Sequence, residues 1–273
     1  RGEKHSSTIQ SKSHSRENQQ DKQALIQINL PVLYTKLHRP RVSDDHILRS
    51  DIIEILERNL EKPFSLVSAP AGYGKSLTVS QWLDQTSVKS AWISLDEEHN
   101  DLRVFLMYLH AAIEKIFPGA LKETNTLIGA KELPPLKVIA YALINEIDQI
   151  EDNFILVLDD YHRIHNKIIH DLLDEILTYP PESLHICIST RIDPPLKLNS
   201  LLANGRMIEI RMKRLAFSEE EIIDLYQKLI HMKVQGETAK SLRYKTEGWI
   251  VGLRMASLLI HENTDADKIL SNM

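Results

Sequence analysis

Phe64-Ser65-Leu66-Val67-Ser68-Ala69-Pro70-Ala71-Gly72-Tyr73-Gly74-Lys75-Ser76 is a short apolar run that breaks into a glycine loop ending in Lys-Ser. This is the outline of a phosphate-binding loop. Glycines at Gly72 and Gly74 permit backbone angles that other residues resist, and they let amide N–H groups turn toward phosphate oxygens. Lys75 supplies a point charge for β- and γ-phosphates, and the Ser76 hydroxyl supplies a ligand for Mg²⁺. A helix from Ser76 to about Gln85 would then turn its positive end toward the phosphates. The pattern G-x-x-x-x-G-K-[ST] has its first glycine replaced here by Ala69. Gly-Lys-Ser is a weak signal by itself, so context decides. A buried-type strand precedes the loop, and Leu77, Trp82 and Leu83 mark an amphipathic helix after it. Residues Ala69, Pro70, Ala71, Gly72, Tyr73, Gly74, Lys75, Ser76 and Leu77 are therefore expected to hold the phosphates of ATP or ADP, with Ser76 on the metal.

The 273 residues are enough for one large domain and a smaller one. Hydrophobic content of 42% and charged content of 26% describe an ordinary globular chain. A net charge of −5 and a pI near 6.2 argue against a general nucleic-acid-binding surface. The single cysteine, Cys187, lies in an apolar run. That excludes a disulfide framework and suggests a reducing, cytoplasmic compartment. No apolar stretch approaches the ~20 residues of a membrane helix. The sequence starts at Arg1 rather than methionine and stops in helical-looking sequence, as a fragment of a longer protein would.

Residues 1–28 are polar and without apolar periodicity, which is read as a disordered leader. Strands are expected at 64–69, 90–95, 154–158, 184–190 and near 206–210, with helices at roughly 45–60 and along three apolar stripes. The stripes are Leu102, Phe105, Leu106, Leu109, Ile113 and Ile116; Leu136, Ile139, Leu143 and Ile147; and Ile168, Ile169, Leu172, Leu173 and Ile176. Near-continuous apolar strands alternating with helices imply an α/β fold, a parallel sheet flanked by helices from 29 to 212. From 213 to 273 the pattern is all-helical and is read as a small helical lid. Ser218 with Glu221 forms a capping-box signature there, and a helix is expected from Trp249 to His261.

Two further strand ends carry chemistry. Phe154 to Leu158 runs into Asp159-Asp160. Paired carboxylates ending a buried strand are costly unless they face a cation or water. In a phosphate-loop protein the first acid, Asp159, helps hold Mg²⁺ and the second, Asp160, orients the attacking water. Arg191 follows the next strand, and ligands in open α/β sheets sit outside the carboxyl ends of strands. A guanidinium there is suited to sensing a γ-phosphate. Each feature has a bland reading as an ordinary strand-end residue; their convergence on three strand ends favours the site.

These stretches resemble the nucleotide-binding portion of the MalT-like signal-transduction ATPases with numerous domains, the large LuxR-type regulators. The resemblance rests on Thr35-Lys36-Leu37 with Arg39-Pro40-Arg41, the loop from Ser68 to Ser76, Ser80-Gln81-Trp82 and Ala91 to Glu97. It continues through Leu158 to His162, Ser189-Thr190-Arg191 with Pro194-Pro195-Leu196, and Thr246-Glu247-Gly248-Trp249 with Gly252-Leu253. That family tolerates a non-glycine where this chain has Ala69, and it usually has Thr where this chain has Ser76. The resemblance implies a P-loop NTPase that acts as a switch. An ADP-bound closed form gives way to an ATP form that self-associates and activates transcription, with DNA contacted by a C-terminal helix-turn-helix that this chain lacks. The competing readings are a high-turnover motor or transporter ATPase, a P-loop module of another signalling protein, and a scaffold that no longer binds nucleotide. Lys75, Ser76 and Asp159 speak against the scaffold. Asp160, shorter than the Glu of fast hydrolases, speaks mildly against the motor.

Other residues take plainer readings. The acidic run Asp96 to Asp101 lacks the glycine of a Ca²⁺ loop and is read as capping and surface. His162, His165 and His170 lack the wider constellation of a zinc site. Trp249 is read as core that packs the lid on the nucleotide domain. Arg41 and Arg49 are open to a role on base or phosphates, or to an exposed structural one.

Overall fold

Five parallel strands build one sheet in the order β2-β3-β4-β1-β5. They are β1 (Phe64–Ser68), β2 (Lys89–Ser94), β3 (Phe154–Asp159), β4 (Leu184–Thr190) and β5 (Met207–Arg211). The computed structural model describes residues 32–262; the expected leader at 1–28 and the end of the expected lid lie outside the described residues. β1, β3 and β4 are buried along their whole lengths, as strands covered on both faces must be. β4 stands between the loop-bearing strand and the strand ending in paired acids. Ser68 pairs with Thr190 on one side and Arg211 on the other, so the strands end at one level.

On one face Val67, Trp92, Val157, Cys187 and Ile210 pack against α1 (Ser50–Glu57) and α2 (Lys75–Gln85) through Ile52, Leu56, Val79 and Trp82. Side chains alternate along a strand, so the intervening residues face the other way. There α3 (Leu102–Glu114), α4 (Lys122–Ile128), α5 (Leu136–Asp148) and α6 (Lys167–Thr178) form the second layer. The expected stripes are buried, or half-buried at Leu102, Ile116 and Leu136, with one correction. Ile168 is 46% exposed, because Asn166 caps the first turn of α6 by accepting from the Ile168 N–H and leaves that side chain facing water. Asp96 and Asp101 are caps as well, accepting from the backbone N–H groups of Glu98 and Val104.

The helix expected at 45–60 is shorter. Ser43 to His46 is a turn closed by the His46 N–H on the Ser43 carbonyl at 3.1 Å, and α1 starts only at Ser50. The segment between leaves the sheet's neighbourhood: Ile47 is buried among Phe217, Leu225, Tyr226, Leu242 and Leu253. That second cluster belongs to α7 (Glu219–Ile230), α8 (Gly236–Thr246) and α9 (Ile250–Glu262). The Ser218–Glu221 capping box starts α7. Gly248 is required where the chain enters α9: it sits at φ 70°, and a Cβ there would lie 2.6 Å from the Phe217 nitrogen.

Arg49 joins the two clusters. Its guanidinium donates to the carbonyls of Leu215 at 2.8 Å and Arg214 at 3.0 Å, pairs with Glu221 at 2.8 Å and stacks on Phe217. It is 3% exposed, so it is a buried clamp, not the exposed residue that one sequence reading allowed. Arg41, by contrast, is exposed. Arg49→Leu is expected to lower the unfolding free energy by about 2–4 kcal/mol, because Glu221 and two carbonyls lose their partner. Urea titration checks this, and a loss under 0.5 kcal/mol (roughly the range of neutral surface changes) would remove the clamp assignment.

Candidate functional site

The loop between β1 and α2 turns on two left-handed glycines, Gly72 at φ 80° and Gly74 at φ 76°. Ala69 has no positive φ and is buried in the sheet-side cluster. An alanine therefore fits the first position of the motif without strain, and its methyl adds to the core. Gly74 is the N-cap of α2, which aims the first amides of that helix out past the strand ends. Pro70 and Ala71 are exposed, whereas Tyr73 sends its ring into the core. Tyr73 can thus serve a ligand only through its backbone.

Lys75 is 7% exposed, and its ammonium donates to the Pro70 carbonyl at 3.1 Å. Burial lowers its pKa; the opposing pull comes first from Asp160, and Arg191 lowers it further. The Ser76 hydroxyl donates to Asp159 Oδ1 at 2.9 Å. Burial pushes the Asp159 carboxyl above its ordinary value, against the opposing pull of the Ser189 and Ser76 hydroxyls. Two hard oxygen donors in contact, one a carboxylate that burial leaves short of positive charge, fit Mg²⁺.

Asp160 adopts a left-handed backbone, φ 55° and ψ 36°, which costs a non-glycine residue roughly 1–2 kcal/mol. This turns the chain at the end of β3 and leaves the carboxylate partly in solvent, close enough to influence Lys75. Arg191 is exposed just past β4 and acts on both Lys75 and His162. The fold therefore brings Lys75, Ser76, Asp159, Asp160 and Arg191 to one edge of the sheet.

His162 belongs there too, and sequence reasoning weighed it only for metal. Its Nδ1 lies 3.7 Å from Asp160 Oδ1, and both ring nitrogens are buried without a hydrogen-bond partner. Burial lowers its pKa, which Asp160 opposes. Its place two residues beyond paired acids was the available signal. His170 instead pairs with the Tyr161 hydroxyl at 2.7 Å. Among the described residues no cluster of three metal-ligating side chains is found.

Beside the loop lies a cavity of about 220 Å³ with mainly apolar walls, open at one side. Leu77, Thr78 and Gln81 line it from α2, Ile47 and Arg49 from the segment before α1, Phe217 from the segment before α7 and Ile250 from α9. Leu77 thus reaches the cavity rather than the strand ends. Trp249 closes the loop from above, its indole N–H donating to the Ala71 carbonyl at 2.9 Å.

No family model matches the chain. It is 30% identical over 225 residues to the HTH-type transcriptional regulator MalT of Vibrio cholerae, covering 82% of this chain and 25% of that protein. To MalT of Yersinia enterocolitica it is 28% identical over 236 residues, 86% of this chain and 26% of the relative. The chain thus spans about a quarter of the length of the curated relatives it matches. Among solved structures it resembles a Walker-type ATPase of Pyrococcus abyssi, with TM-score 0.54, 14% identity and coverage of 86% and 73% of the two chains. Cdc6p of Pyrobaculum aerophilum matches with TM-score 0.50, 14% identity and coverage of 86% and 68%. These two likenesses establish the P-loop fold. Among the described residues no helix is long and apolar enough to cross a membrane.

The buried carboxylate has a consequence for stability. A carboxyl whose folded pKa is raised binds its proton more tightly in the folded state, so it opposes folding progressively as pH rises above the unfolded value, about 4. Asp159→Asn is expected to raise the melting temperature of the nucleotide-free protein at pH 7, with the gain vanishing below about pH 4. Thermal scans across that range check it, and equal melting temperatures at pH 7 would mean that the serine hydroxyls fully offset burial.

Proposed function

We propose that the chain, which is homologous to one quarter of the MalT-type transcriptional regulators, is a P-loop nucleotide-binding module of that family and works as an ATP/ADP switch with slow hydrolysis. The observation that carries this reading is the meeting of Lys75, Asp159, Asp160 and Arg191 at the ends of three different strands, β1, β3 and β4.

In this reading the loop amides and Lys75 hold the phosphates, and the apolar cavity receives the nucleoside. Ser76 and Asp159 hold Mg²⁺, which when bound neutralises phosphate charge. Asp160 orients the attacking water and accepts its proton, with His162 Nδ1 3.7 Å from its carboxylate. Arg191, free of the core, meets the γ-phosphate and reports its presence along β4. Of the described residues, 32–212 serve as the nucleotide domain and 213–262 as the lid.

The switch reading extends to the relatives' printed role. The ATP form self-associates and the whole protein regulates transcription in the cytoplasm, with DNA bound by a helix-turn-helix outside this chain. The acidic balance and the absence of a basic stripe support assigning DNA contact elsewhere.

Titration calorimetry is expected to show ATP and ADP binding with Mg²⁺, and Lys75→Ala to lose most of that affinity; unchanged affinity would overturn the site. Asp160→Asn should keep ATP binding and lose most remaining single-turnover hydrolysis. Turnover at the parent rate would remove the water-orienting role of the second acid. Arg191→Ala should reduce the preference between ATP and ADP, since its partner is the phosphate that distinguishes them; an unaltered ratio of dissociation constants would place that sensor elsewhere.

A further inference from the structure

The start of the C-terminal helix α9 meets the rest of the chain at two points. At its start, Trp249 donates to the Ala71 carbonyl of the phosphate loop at 2.9 Å. The fit is close: a Cβ on Gly72 would lie 2.3 Å from the indole nitrogen and 2.8 Å from Val251. Five residues on, Arg254, which lines the cavity, pairs with Asp45 at 2.8 Å. Asp45 and Arg254 are 38% and 35% exposed along their side chains. The Ser43 hydroxyl, and then Arg254, hold the Asp45 carboxyl down to about 2, so the pair is ionised at any working pH.

The segment that Arg254 grips is anchored on two sides. Gln81 of α2 donates to the Ile47 carbonyl at 2.8 Å and accepts from the Arg49 N–H at 3.3 Å. Lys228 of α7 donates to the carbonyls of Asp44 at 3.3 Å and His46 at 3.1 Å. Ile47 and Arg49 are buried, the first in the helical cluster and the second in the clamp on Leu215, Glu221 and Phe217. These contacts are buried or backbone-bound. α9 is itself rooted in the helical cluster through Leu253, Ala256 and Ile260, and beside that packing Trp249 and Arg254 contact the phosphate loop and Asp45 through exposed or half-buried groups.

We propose that the start of α9 is a two-point latch beside the nucleoside cavity, Trp249 on the phosphate loop and Arg254 on Asp45, and that its release sets the rate of nucleotide exchange. Opening pivots about the buried Arg49 clamp, because breaking that clamp strands charge, whereas both latch points reach water when they part. The loop contact also ties the latch to the phosphates. A loop carbonyl held by the indole fixes the peptide whose neighbouring amides face the ligand.

This inference rests on the nucleotide-binding reading, and the test separates the two. The whole chain is loaded with Mg²⁺ and an N-methylanthraniloyl derivative of ADP, then chased with excess ADP. Asp45→Asn and Arg254→Gln are each expected to speed release roughly two- to fivefold, the range of a partly exposed ion pair. The double variant should be no faster than either single one, and the charge-exchanged pair Asp45→Arg with Arg254→Asp should return toward the parent rate. Trp249→Phe should add its own acceleration to that of Arg254→Gln, since the two contacts are separate. Parent release rates in all three single variants would overturn the latch while leaving nucleotide binding intact. Failure of the parent protein to bind the probe would overturn the nucleotide reading and the latch with it. A charge-exchanged pair as fast as the single variants would show that the ion pair is not one of the latch points.

Discussion

The termination of β1, β3 and β4 at a common level, with β4 in the middle, is the constraint on which everything else depends. Parallel pairing of Ser68 with Thr190, and of Leu158 with Ile188, fixes that level to within a residue. A slip of one residue in any strand would turn its buried side chains to the opposite face. The same slip would carry Asp159 away from Ser76. Packing and chemistry are thus set by one register, and the core that holds the strands also holds the distance between a hydroxyl and a carboxylate.

That arrangement carries a tension. Lys75 and Asp159 are both largely removed from water, and burial works against the charged form of each. Neither meets an opposite charge in direct contact: the ammonium has a loop carbonyl, the carboxylate serine hydroxyls. Asp160 adds backbone strain at the same edge. Strain and uncompensated charge gathered at one place are what a preformed site for a charged ligand looks like. A ligand that relieves them binds the folded form selectively and adds to its stability.

The sheet and its loop were legible because their signals are local. Five apolar strands, two glycines and Lys-Ser can be read from neighbours in the chain, and the strand limits were off by a residue or so. Ala69 was harder, since only its ordinary φ and its buried methyl explain why glycine is dispensable there. What could not be read was set by distant partners. Arg49 clamps carbonyls more than 160 residues away, and no periodicity marks a residue for that role. The helix expected from 45 starts only at Ser50 for a related reason: the apolar Ile47 belongs to another cluster, and the Ser43–His46 turn takes the chain there. His162 had the residue type but no spacing rule, so its two empty ring nitrogens became visible only with the fold. The histidines beyond it went the other way, His170 satisfying itself on Tyr161.

Cys187 offers a different use of the same architecture. It is the sole cysteine of the sequence and lies in the central strand β4 with no exposed surface, its thiol pushed up by burial. An alkylating reagent in solution meets nothing until the sheet itself comes apart. Because the α9 contacts lie outside that sheet, movement of the helix leaves the thiol sealed. Thiol modification therefore acts as a clock for global unfolding alone, and it leaves every surface position available for an engineered cysteine and a single site-specific label.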